Sequence, residues 1–456
     1  MGRTLLFSKK DRALNMSNLP FPDGFVWGAA TSSYQIEGGW DADGKGESIW
    51  DRFCRQPGRI ANAESGEIAC DHYHRWKEDV GLMRRLGLQA YRFSISWPRV
   101  LPTGGGPINA RGLSFYDHLV DELLAAGIQP FATLYHWDLP QALHESGGWP
   151  ARDTCQAFAD YASVVASRLA DRVRFWITIN EPRVVMHEGY TVGTHAPGIQ
   201  DPALGLRVAH HLLIAHGLAT QALRAVHPAL HIGIALNQSG IEPATDAPED
   251  LDAAECAWKL HEAPFLDALF GGAVPPDPWS SLIEMPGIVR PGDPGLIGQP
   301  LDFVGLNYYS RHRVRAAGPA EPDPEAEYTD MGWEVHAPSL RRVLNRMHRD
   351  YPLPPVYITE NGAAFVDRIA DDGTIRDERR QQYLRSHIAE VHQALHDGID
   401  LRGYFAWSLL DNFEWAHGYA KRFGLIHVDH RTQERRIKQS GEWYAQLIQA
   451  NAVNQV

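Results

Sequence analysis

The chain has 456 residues, of which 56 are acidic and 43 are basic, so its formal net charge is −13. Hydrophobic residues make up 44% of the chain, which is enough for a large packed core and excludes intrinsic disorder as the main state. The negative charge disfavours nucleic acid and an anionic membrane surface as main partners, because like charges repel. No stretch approaches the roughly 18 consecutive apolar residues of a membrane-spanning helix. We therefore expect a globular protein that binds neither nucleic acid nor a membrane.

The two ends of the chain and its cysteines bear on organisation and compartment. Residues 1–18 carry several charged side chains and lack the long apolar run of a secretory signal, so we interpret them as a disordered extension. Residues 448–456 are interpreted as a C-terminal tail. The four cysteines show no C-x-x-C spacing, which is typical of reduced structural thiols. Together these features predict a cytoplasmic protein.

Short apolar runs alternate with amphipathic stretches along the whole chain. Between the first two runs, Trp76, Val80, Met83 and Leu86 recur at steps of three and four, which is the spacing of one helix face. The apolar runs are rich in β-branched and aromatic residues and are apolar on both faces, which suits parallel strands covered by helices. In chain order the predicted strands are 25–30, 90–95, 130–135, 173–179, 231–236, 303–308, 356–359 and 403–407.

Eight such runs interleaved with helices predict an α/β fold, a single (β/α)8 TIM barrel over residues 19–447 with loop insertions. The loop richest in Ala, Gly, Pro and Glu, residues 315–328, follows the sixth run and is interpreted as one of these insertions rather than as an interdomain linker. The alternative is a doubly wound open sheet. It is disfavoured because no G-x-G-x-x-G pattern follows any of the runs.

Polar residues stand at the ends of several predicted strands. In barrels of this kind the chemistry lies at the carboxyl ends of the strands. A carboxylate directly after a buried strand needs a partner or a task, because its desolvation is costly. Any one of them is explained equally well by an ion pair or a helix cap, but several at the same end favour a site. The polar ends are residues 136–138, 180–182, 307–309, 360–362 and 407–415.

Glu181 and Glu360 are the pair of carboxylates that we single out. They follow the fourth and seventh predicted strands, whose ends face one another across a barrel mouth. Hydrolysis of a glycosidic bond requires two such carboxyl groups, one protonated to donate to the leaving oxygen and the other ionised to attack or to activate water. Tryptophans at the neighbouring strand ends offer flat apolar faces for a sugar ring. The pattern therefore predicts a glycosidase site.

Five motifs, in this order, resemble those of glycoside hydrolase family 1. The resemblance spans residues 19–447, nearly the whole chain. The motifs are WGAATSSYQIEG at 27–38, YRFSISW at 91–97, TINEP at 178–182, ITENG at 358–362 and WSLLDNFEW at 407–415.

The resemblance implies a retaining β-glycosidase on a TIM barrel, acting on a small β-glycoside without a metal or cofactor. It implies that Glu181 is the general acid/base and that Glu360 is the nucleophile. Arg92 and Tyr309 would support Glu360, and Asn307 would hydrogen-bond near Glu181. The sugar would be held by a set of polar and aromatic side chains, which are Gln35, His136, Trp137, Asn180, Trp333, Trp407, Glu414 and Trp415. Burial and the nearby Glu360 should raise the pKa of Glu181 so that it keeps its proton.

Glu414 bears on the substrate. By the same resemblance, a carboxylate at the 4- and 6-hydroxyl end of the sugar suits an uncharged glycone and repels a 6-phosphate. We therefore expect a β-glucosidase that acts on terminal non-reducing β-D-glucosyl residues, with β-galactosidase and β-fucosidase side activities. Three alternatives stay open, namely a 6-phospho-β-glycosidase, a non-catalytic sugar-binding barrel and a metal-dependent sugar isomerase.

Arg183 departs from the family pattern, since many relatives carry Trp or Asn directly after the Asn-Glu-Pro motif. It is either a salt-bridged surface arginine or a residue that alters leaving-group preference towards polar aglycones.

The histidines raise the separate question of a metal site. His210, His211 and His216 lie on an amphipathic helix pattern, and no H-E-x-x-H motif is present, so we expect no metal.

Overall fold

The computed structural model describes residues 18–271 and 287–454. Eight strands, β1–β8, form a closed barrel in which every neighbouring pair is parallel, and the ring closes between β6 and β7. Each coincides with a predicted strand to within two residues at either end, so the predicted TIM barrel is confirmed. The strands are β1 Val26–Ala30, β2 Ala90–Ser94, β3 Gln129–Tyr135, β4 Phe175–Asn180, β5 His231–Asn237, β6 Phe303–Asn307, β7 Val356–Asn361 and β8 Leu401–Trp407.

The described residues contain eight long helices, and most of them bury an apolar face around the barrel. Val80 and Met83, on the predicted face of the first helix, are both buried. The interior of the barrel is filled by aromatic rings such as Phe131, Phe303 and Phe405. The long helices are α1 His72–Arg85, α2 Ala110–Ala125, α3 Asp153–Leu169, α4 Pro202–Val226, α5 Pro248–His261, α6 Ala337–Asp350, α7 Glu378–His396 and α8 Gln439–Ala450.

Shorter elements occupy the loops between strands and helices. Single turns of α-helix lie at Ser33–Ile36, Ile49–Cys54, Trp97–Val100, Gln141–Glu145, Pro182–Met186, Ala263–Leu266 and Asp293–Ile297, with 3-10 turns at Ala42–Gly44, Ala61–Ala63 and Trp415–His417 and π-helical turns at His187–Thr191 and Asp267–Gly271. A small three-stranded sheet has Arg311–Arg315 at its centre, between Gly240–Pro243 and Gly318–Pro319. Two two-stranded sheets pair Arg368–Ile369 with Ile375–Arg376 and Ile426–Val428 with Arg435–Ile437. The first of these sheets extends into the predicted insertion at 315–328.

The two ends of the described chain pair with each other. Strand Asn18–Pro20 runs antiparallel to Ala452–Asn454, and α8 continues to Ala450. The predicted boundary at residue 447 therefore falls inside the last helix, and most of the predicted tail is helix and strand, because Ala452–Asn454 finds backbone partners in Asn18–Pro20. The predicted extension lies outside the described residues except for Asn18. Among the described helices, none is both long and apolar enough to cross a membrane.

Candidate active site

The polar ends of the barrel strands meet around one cavity of about 600 Å³. Nine of the thirteen predicted site residues line it, and the other four hydrogen-bond to residues of the lining. The nine lining residues are His136, Trp137, Glu181, Tyr309, Trp333, Glu360, Trp407, Glu414 and Trp415. The four behind them are Gln35, Arg92, Asn180 and Asn307.

Glu181 follows β4 directly and begins the short helix Pro182–Met186. Its backbone is left-handed, with φ of 48°, a conformation that costs energy in a non-glycine residue and is often found at functional sites. This conformation is stabilised by the backbone N–H of Glu181, which donates to the Ala235 carbonyl at 2.8 Å. The next residue is Pro182, whose ring fixes its own φ. Asn307 Nδ2 donates to Glu181 Oε1 at 2.7 Å. Burial, and after it the negative charge of Glu360, raises the pKa of Glu181 to about 8.

Glu360, at the end of β7, has a different environment. Arg92 Nη1 lies 2.6 Å from its Oε1, and the Tyr309 hydroxyl donates to its Oε2 at 2.6 Å. Burial raises the pKa of Glu360, and the ion pair with Arg92 and the bond from Tyr309 oppose that rise. Among the described residues Glu181 has no such direct ion pair, so a single proton shared by the two carboxyl groups is favoured on Glu181.

The Arg92 guanidinium ties three strand ends together. Besides Glu360, it donates to the Thr359 carbonyl at 3.0 Å, to Asn180 Oδ1 at 2.5 Å and to Thr133 Oγ1 at 3.3 Å. The sequence singled out neither threonine. Each is a buried polar residue that follows apolar residues in its strand, and that departure from the strand pattern was the only signal for them.

A second group of polar side chains at the cavity contains hydrogen-bond donors and acceptors. The Asn180 amide donates to His136 Nε2 at 3.1 Å, which assigns the proton of that ring to Nδ1. His136 Nδ1 is buried without a partner among the described residues. Burial keeps the pKa of His136 well below its ordinary value, so the ring is neutral. His136 is therefore a neutral ring at the cavity with one hydrogen-bonding nitrogen that no described residue satisfies.

Gln35 and Glu414 form a second polar pair. Gln35 Nε2 donates to the Phe413 carbonyl at 2.9 Å and lies 3.4 Å from Glu414 Oε2. Burial raises the pKa of Glu414 to about 8, and the negative charges of Glu360 and Glu181 add to the rise. Three carboxyl groups thus share one enclosed space, which favours a neutral ligand able to donate hydrogen bonds.

Aromatic rings supply the apolar wall. Trp415 lies 4.6 Å from Trp137, between ring centroids, and Trp333 lies 5.3 Å from Tyr309. Trp407 completes the wall at the end of β8. Such a wall beside polar side chains is suited to a sugar ring, which has an apolar face and a rim of hydroxyl groups.

Comparisons with known proteins agree with this geometry. The family model described as "Glycosyl hydrolase family 1" matches residues 17–453. The chain belongs to glycosyl hydrolase family 1. The predicted family and its hydrolase chemistry are thereby confirmed.

Named relatives of this family 1 chain are similar over almost its whole length. "Beta-glucosidase A" of Acetivibrio thermocellus is 46% identical, covering 96% of this chain and 100% of the relative. The "Bifunctional beta-D-glucosidase/beta-D-fucosidase" of Bifidobacterium breve is 43% identical, covering 94% and 98%. Among solved structures, the β-glucosidase from Thermotoga maritima in complex with glucoimidazole superposes with a TM-score of 0.92 at 45% identity, covering 95% of this chain and 100% of that one.

Several further residues of this family 1 site were not predicted from the sequence. They come from loops that are far apart along the chain, and no motif marks them. Besides Arg183, which was singled out, these lining residues include His187, Glu188, His195, Asn237, Ser310, His312, Met331 and Phe423.

The histidines considered as metal ligands all have protein partners. His210 Nε2 lies 2.9 Å from Asp293 Oδ2, His211 Nδ1 lies 2.8 Å from the Trp149 carbonyl and His216 Nδ1 lies 2.6 Å from Thr178 Oγ1. These bonds explain why the three histidines are buried on α4 without invoking an ion.

Asp367, Asp411 and His427 bring ligand atoms within 4.8 Å of one another, outside the cavity. Their carboxylates already have cationic partners, since Lys438 Nζ lies 2.7 Å from an oxygen of each aspartate. The cluster is therefore an internal ion-pair network.

Proposed function

We propose that this family 1 protein is a retaining β-glucosidase in which Glu181 is the general acid/base and Glu360 is the nucleophile. The observation that carries the proposal is the unequal environment of the two carboxyl groups. Glu360 is ion-paired to Arg92 at 2.6 Å, whereas the pKa of Glu181 is raised to about 8. One group is thus suited to attack as an anion and the other to donate a proton near neutral pH.

The first step forms a covalent intermediate. A carboxylate oxygen of Glu360 attacks the anomeric carbon while Glu181 transfers its proton to the glycosidic oxygen, so that the C–O bond breaks and the leaving group departs as an alcohol. Arg92 and Tyr309 orient Glu360 and stabilise its charge before attack. Asn307 holds Glu181 through the bond to Oε1.

The second step reverses the roles. Once Glu360 is an ester, its negative charge is gone and the pKa of Glu181 falls, because that charge is one of the causes that raise it. Glu181, now ionised, takes a proton from a water molecule. The water oxygen attacks the anomeric carbon, and Glu360 leaves as a carboxylate. Two inversions at one carbon retain the β configuration.

The glycone is held by the polar side opposite the two carboxyl groups. Gln35, His136, Asn180 and Glu414 offer donors and acceptors to hydroxyl groups, and Trp415 lies beneath the ring. Glu414 disfavours a 6-phosphate because it offers no positive charge to bind one and repels it when ionised, which argues against a 6-phospho-β-glycosidase. The paired carboxyl groups argue against a non-catalytic sugar-binding barrel.

A metal-dependent sugar isomerase is disfavoured by the partners of the site carboxylates. Asn307 donates to Glu181, and Arg92 and Tyr309 donate to Glu360. The carboxylate oxygens that would ligate a metal are therefore already bound by hydrogen-bond donors. Retention of activity in a chelator is the corresponding test.

The relatives support glucose as the preferred glycone and small β-glucosides or oligosaccharides as substrates. The bifunctional relative from Bifidobacterium breve supports β-fucosidase as a side activity, with β-galactosidase activity expected for the same reason, since both sugars differ from glucose at C4. All four cysteines are free, and three of them are buried. Free thiols suit a reducing compartment, and we assign the enzyme to the cytoplasm.

Azide rescue tests both roles at once. We expect p-nitrophenyl β-D-glucoside to be hydrolysed by the wild type in the presence of a chelator, and Glu181→Ala and Glu360→Ala to be severely impaired. Azide should convert the substrate to the α-glucosyl azide with Glu360→Ala, through one inversion, and to the β-glucosyl azide with Glu181→Ala, through two. Full activity in either variant would show that the carboxyl groups are wrongly assigned.

A further inference from the structure

A second cavity, of about 740 Å³, adjoins the active-site cavity. The two share Arg183, Ser310, His312 and Trp333 as lining residues. The outer walls of the second cavity are formed by α5 and by the small sheet that contains Arg311–Arg315. A ligand that leaves the first cavity on this side passes directly beside Arg183.

Arg183 is anchored at this junction by two polar side chains. It lies two residues after Glu181, on the short helix Pro182–Met186. Its Nη2 donates to Asn237 Oδ1 at the end of β5, and the same atom lies 3.7 Å from Glu262 Oε1. Glu262 is almost completely buried, so the guanidinium is anchored to the fold.

The anchored guanidinium has donors left over. A guanidinium carries five N–H donors in one plane, and the bond to Asn237 uses one of them. The Nε of Arg183 is buried and has no hydrogen-bond partner in the described parts of the chain. A buried donor without an acceptor is unfavourable, so the Arg183 guanidinium is suited to bind a ligand that supplies a hydrogen-bond acceptor. Because the charge of Arg183 is already opposed by Glu262, a neutral oxygen suffices as that acceptor.

We propose that Arg183 is a specificity residue for the leaving group, donating hydrogen bonds to the oxygens of a sugar unit that is cleaved from the glycone. The next sugar of a longer substrate occupies the second cavity. Gluco-oligosaccharides are then preferred over alkyl and aryl glucosides, whose leaving groups offer fewer oxygens. This inference rests on the proposed β-glucosidase function and narrows its substrate class.

Four substrates with the same glycone test the proposal, namely cellobiose, cellotriose, octyl β-D-glucoside and p-nitrophenyl β-D-glucoside, with released glucose measured for each. In Arg183→Met, we expect the ratio of kcat/KM for cellobiose to that for octyl glucoside to fall by about 10-fold to 100-fold, since hydrogen bonds from a charged group are lost. Arg84→Met, which removes an exposed arginine of α1, is the matched control and should leave the ratio unchanged. The wild type should cleave cellotriose at least as efficiently as cellobiose.

Arg183→Lys separates hydrogen bonding from charge. The positive charge of Arg183 lowers the pKa of Glu181, so its loss in Arg183→Met should move the alkaline limb of kcat/KM to higher pH on every substrate. Arg183→Lys keeps the charge and should keep that limb, while it loses part of the preference for cellobiose.

The outcomes that overturn the proposal differ from those that overturn the function. An unchanged ratio in a folded Arg183→Met overturns the role of Arg183, and poorer cleavage of cellotriose overturns the role of the second cavity. Arg183→Gln replaces the Met variant if the latter does not fold. A wild type that is inactive on all four substrates overturns the proposed β-glucosidase function itself.

Discussion

The guanidinium of Arg92 lies 2.6 Å from Glu360, and both side chains are almost completely buried. Asn180, the residue before Glu181, accepts a hydrogen bond from the same guanidinium at 2.5 Å. Arg92 therefore stabilises the anion on one carboxyl group and also positions the strand end that carries the other. This relationship makes the two carboxyl groups chemically different, although both are glutamates at neighbouring points of one cavity.

Replacing Arg92 should change the pH profile as well as the rate. In Arg92→Gln the positive charge is lost, so the pKa of Glu360 rises and the acidic limb of kcat/KM moves to higher pH. We expect kcat to fall by about 10²–10³-fold. The measurement is the pH dependence of p-nitrophenyl β-D-glucoside hydrolysis.

Arg99→Gln is the control for this change, because Arg99 forms a buried ion pair with Glu37 at 2.8 Å elsewhere in the fold. Breaking either buried pair should cost about 3–5 kcal/mol of unfolding free energy. Only Arg92→Gln should move the acidic limb, and an equal movement in both variants would contradict the role of Arg92.

The proton on Glu181 should set the alkaline limb of activity. Because the pKa of Glu181 is raised to about 8, kcat/KM of the wild type should decline above about pH 8. In Glu181→Gln, kcat/KM for an alkyl glucoside should fall by about 10²–10⁴-fold. For 2,4-dinitrophenyl β-D-glucoside, whose leaving group needs no proton, it should stay near the wild-type value and lose the alkaline limb. A large loss on both substrates would argue against Glu181 as the acid.

The same pKa has a consequence for stability. The folded-state pKa of Glu181 is raised above the unfolded value, so its contribution to stability is fully present below the unfolded pKa and is lost as pH rises through the folded pKa. The window runs from about pH 4.5 to about pH 8. Relative to Glu181→Gln, the wild type should therefore lose unfolding free energy across this window and then level off. Denaturant unfolding at a series of pH values measures this, and a difference independent of pH would contradict it.

Glu414 should discriminate between glycones through their hydroxyl groups. If it accepts from the 6-hydroxyl, Glu414→Gln should reduce kcat/KM more for the β-D-galactoside than for the β-D-fucoside, which lacks that hydroxyl. We expect the galactoside to lose about 10-fold, the effect of losing one hydrogen bond. Glu442→Gln on α8, at an exposed ion pair with Arg85, serves as the control. Equal losses on both sugars would place Glu414 away from the 6-hydroxyl.

The buried network behind the loop after β8 should stabilise the fold. Lys438 contacts Asp367 and Asp411 at 2.7 Å each, and all three side chains are almost completely buried. Lys438→Met leaves two buried carboxylates without this cation, so we expect a loss of about 3–5 kcal/mol. Arg402→Met, at an exposed pair with Asp400, should cost about 0–1 kcal/mol. Thermal unfolding of both variants distinguishes a structural network from a site whose loss affects activity alone.

Much of the fold and of the candidate site was predictable because barrels impose simple rules. Buried parallel strands read as short apolar runs, and their carboxyl ends lie on the same side of the barrel. Glu181 and Glu360 could therefore be assigned to one cavity from their positions after the fourth and seventh runs. The motifs of the family then assigned expected roles to the residues around them.

Other features had a weak local signature or none. Thr133 and Thr359 are recognisable as site residues through their contacts with the Arg92 guanidinium, which the folded barrel brings to them. The pairing of Asn18–Pro20 with Ala452–Asn454 joins segments more than 400 residues apart, and no pattern within either segment predicted it. Such pairings depend on which surfaces the completed fold brings together.

By itself, then, the sequence determined the barrel, the family and the placement of Glu181 and Glu360 at one cavity, because each follows from strand periodicity and from motifs within a few residues. Only the tertiary structure brought Arg92 against Glu360, and this ion pair together with the burial of Glu181 is what favours a proton on Glu181. The tertiary structure also decided that Arg183 is anchored by Asn237 and Glu262 with donors left over at the junction of two cavities. The physical reason is that charge, burial and hydrogen-bond satisfaction are set by neighbours in space, and in this protein those neighbours come from distant strands.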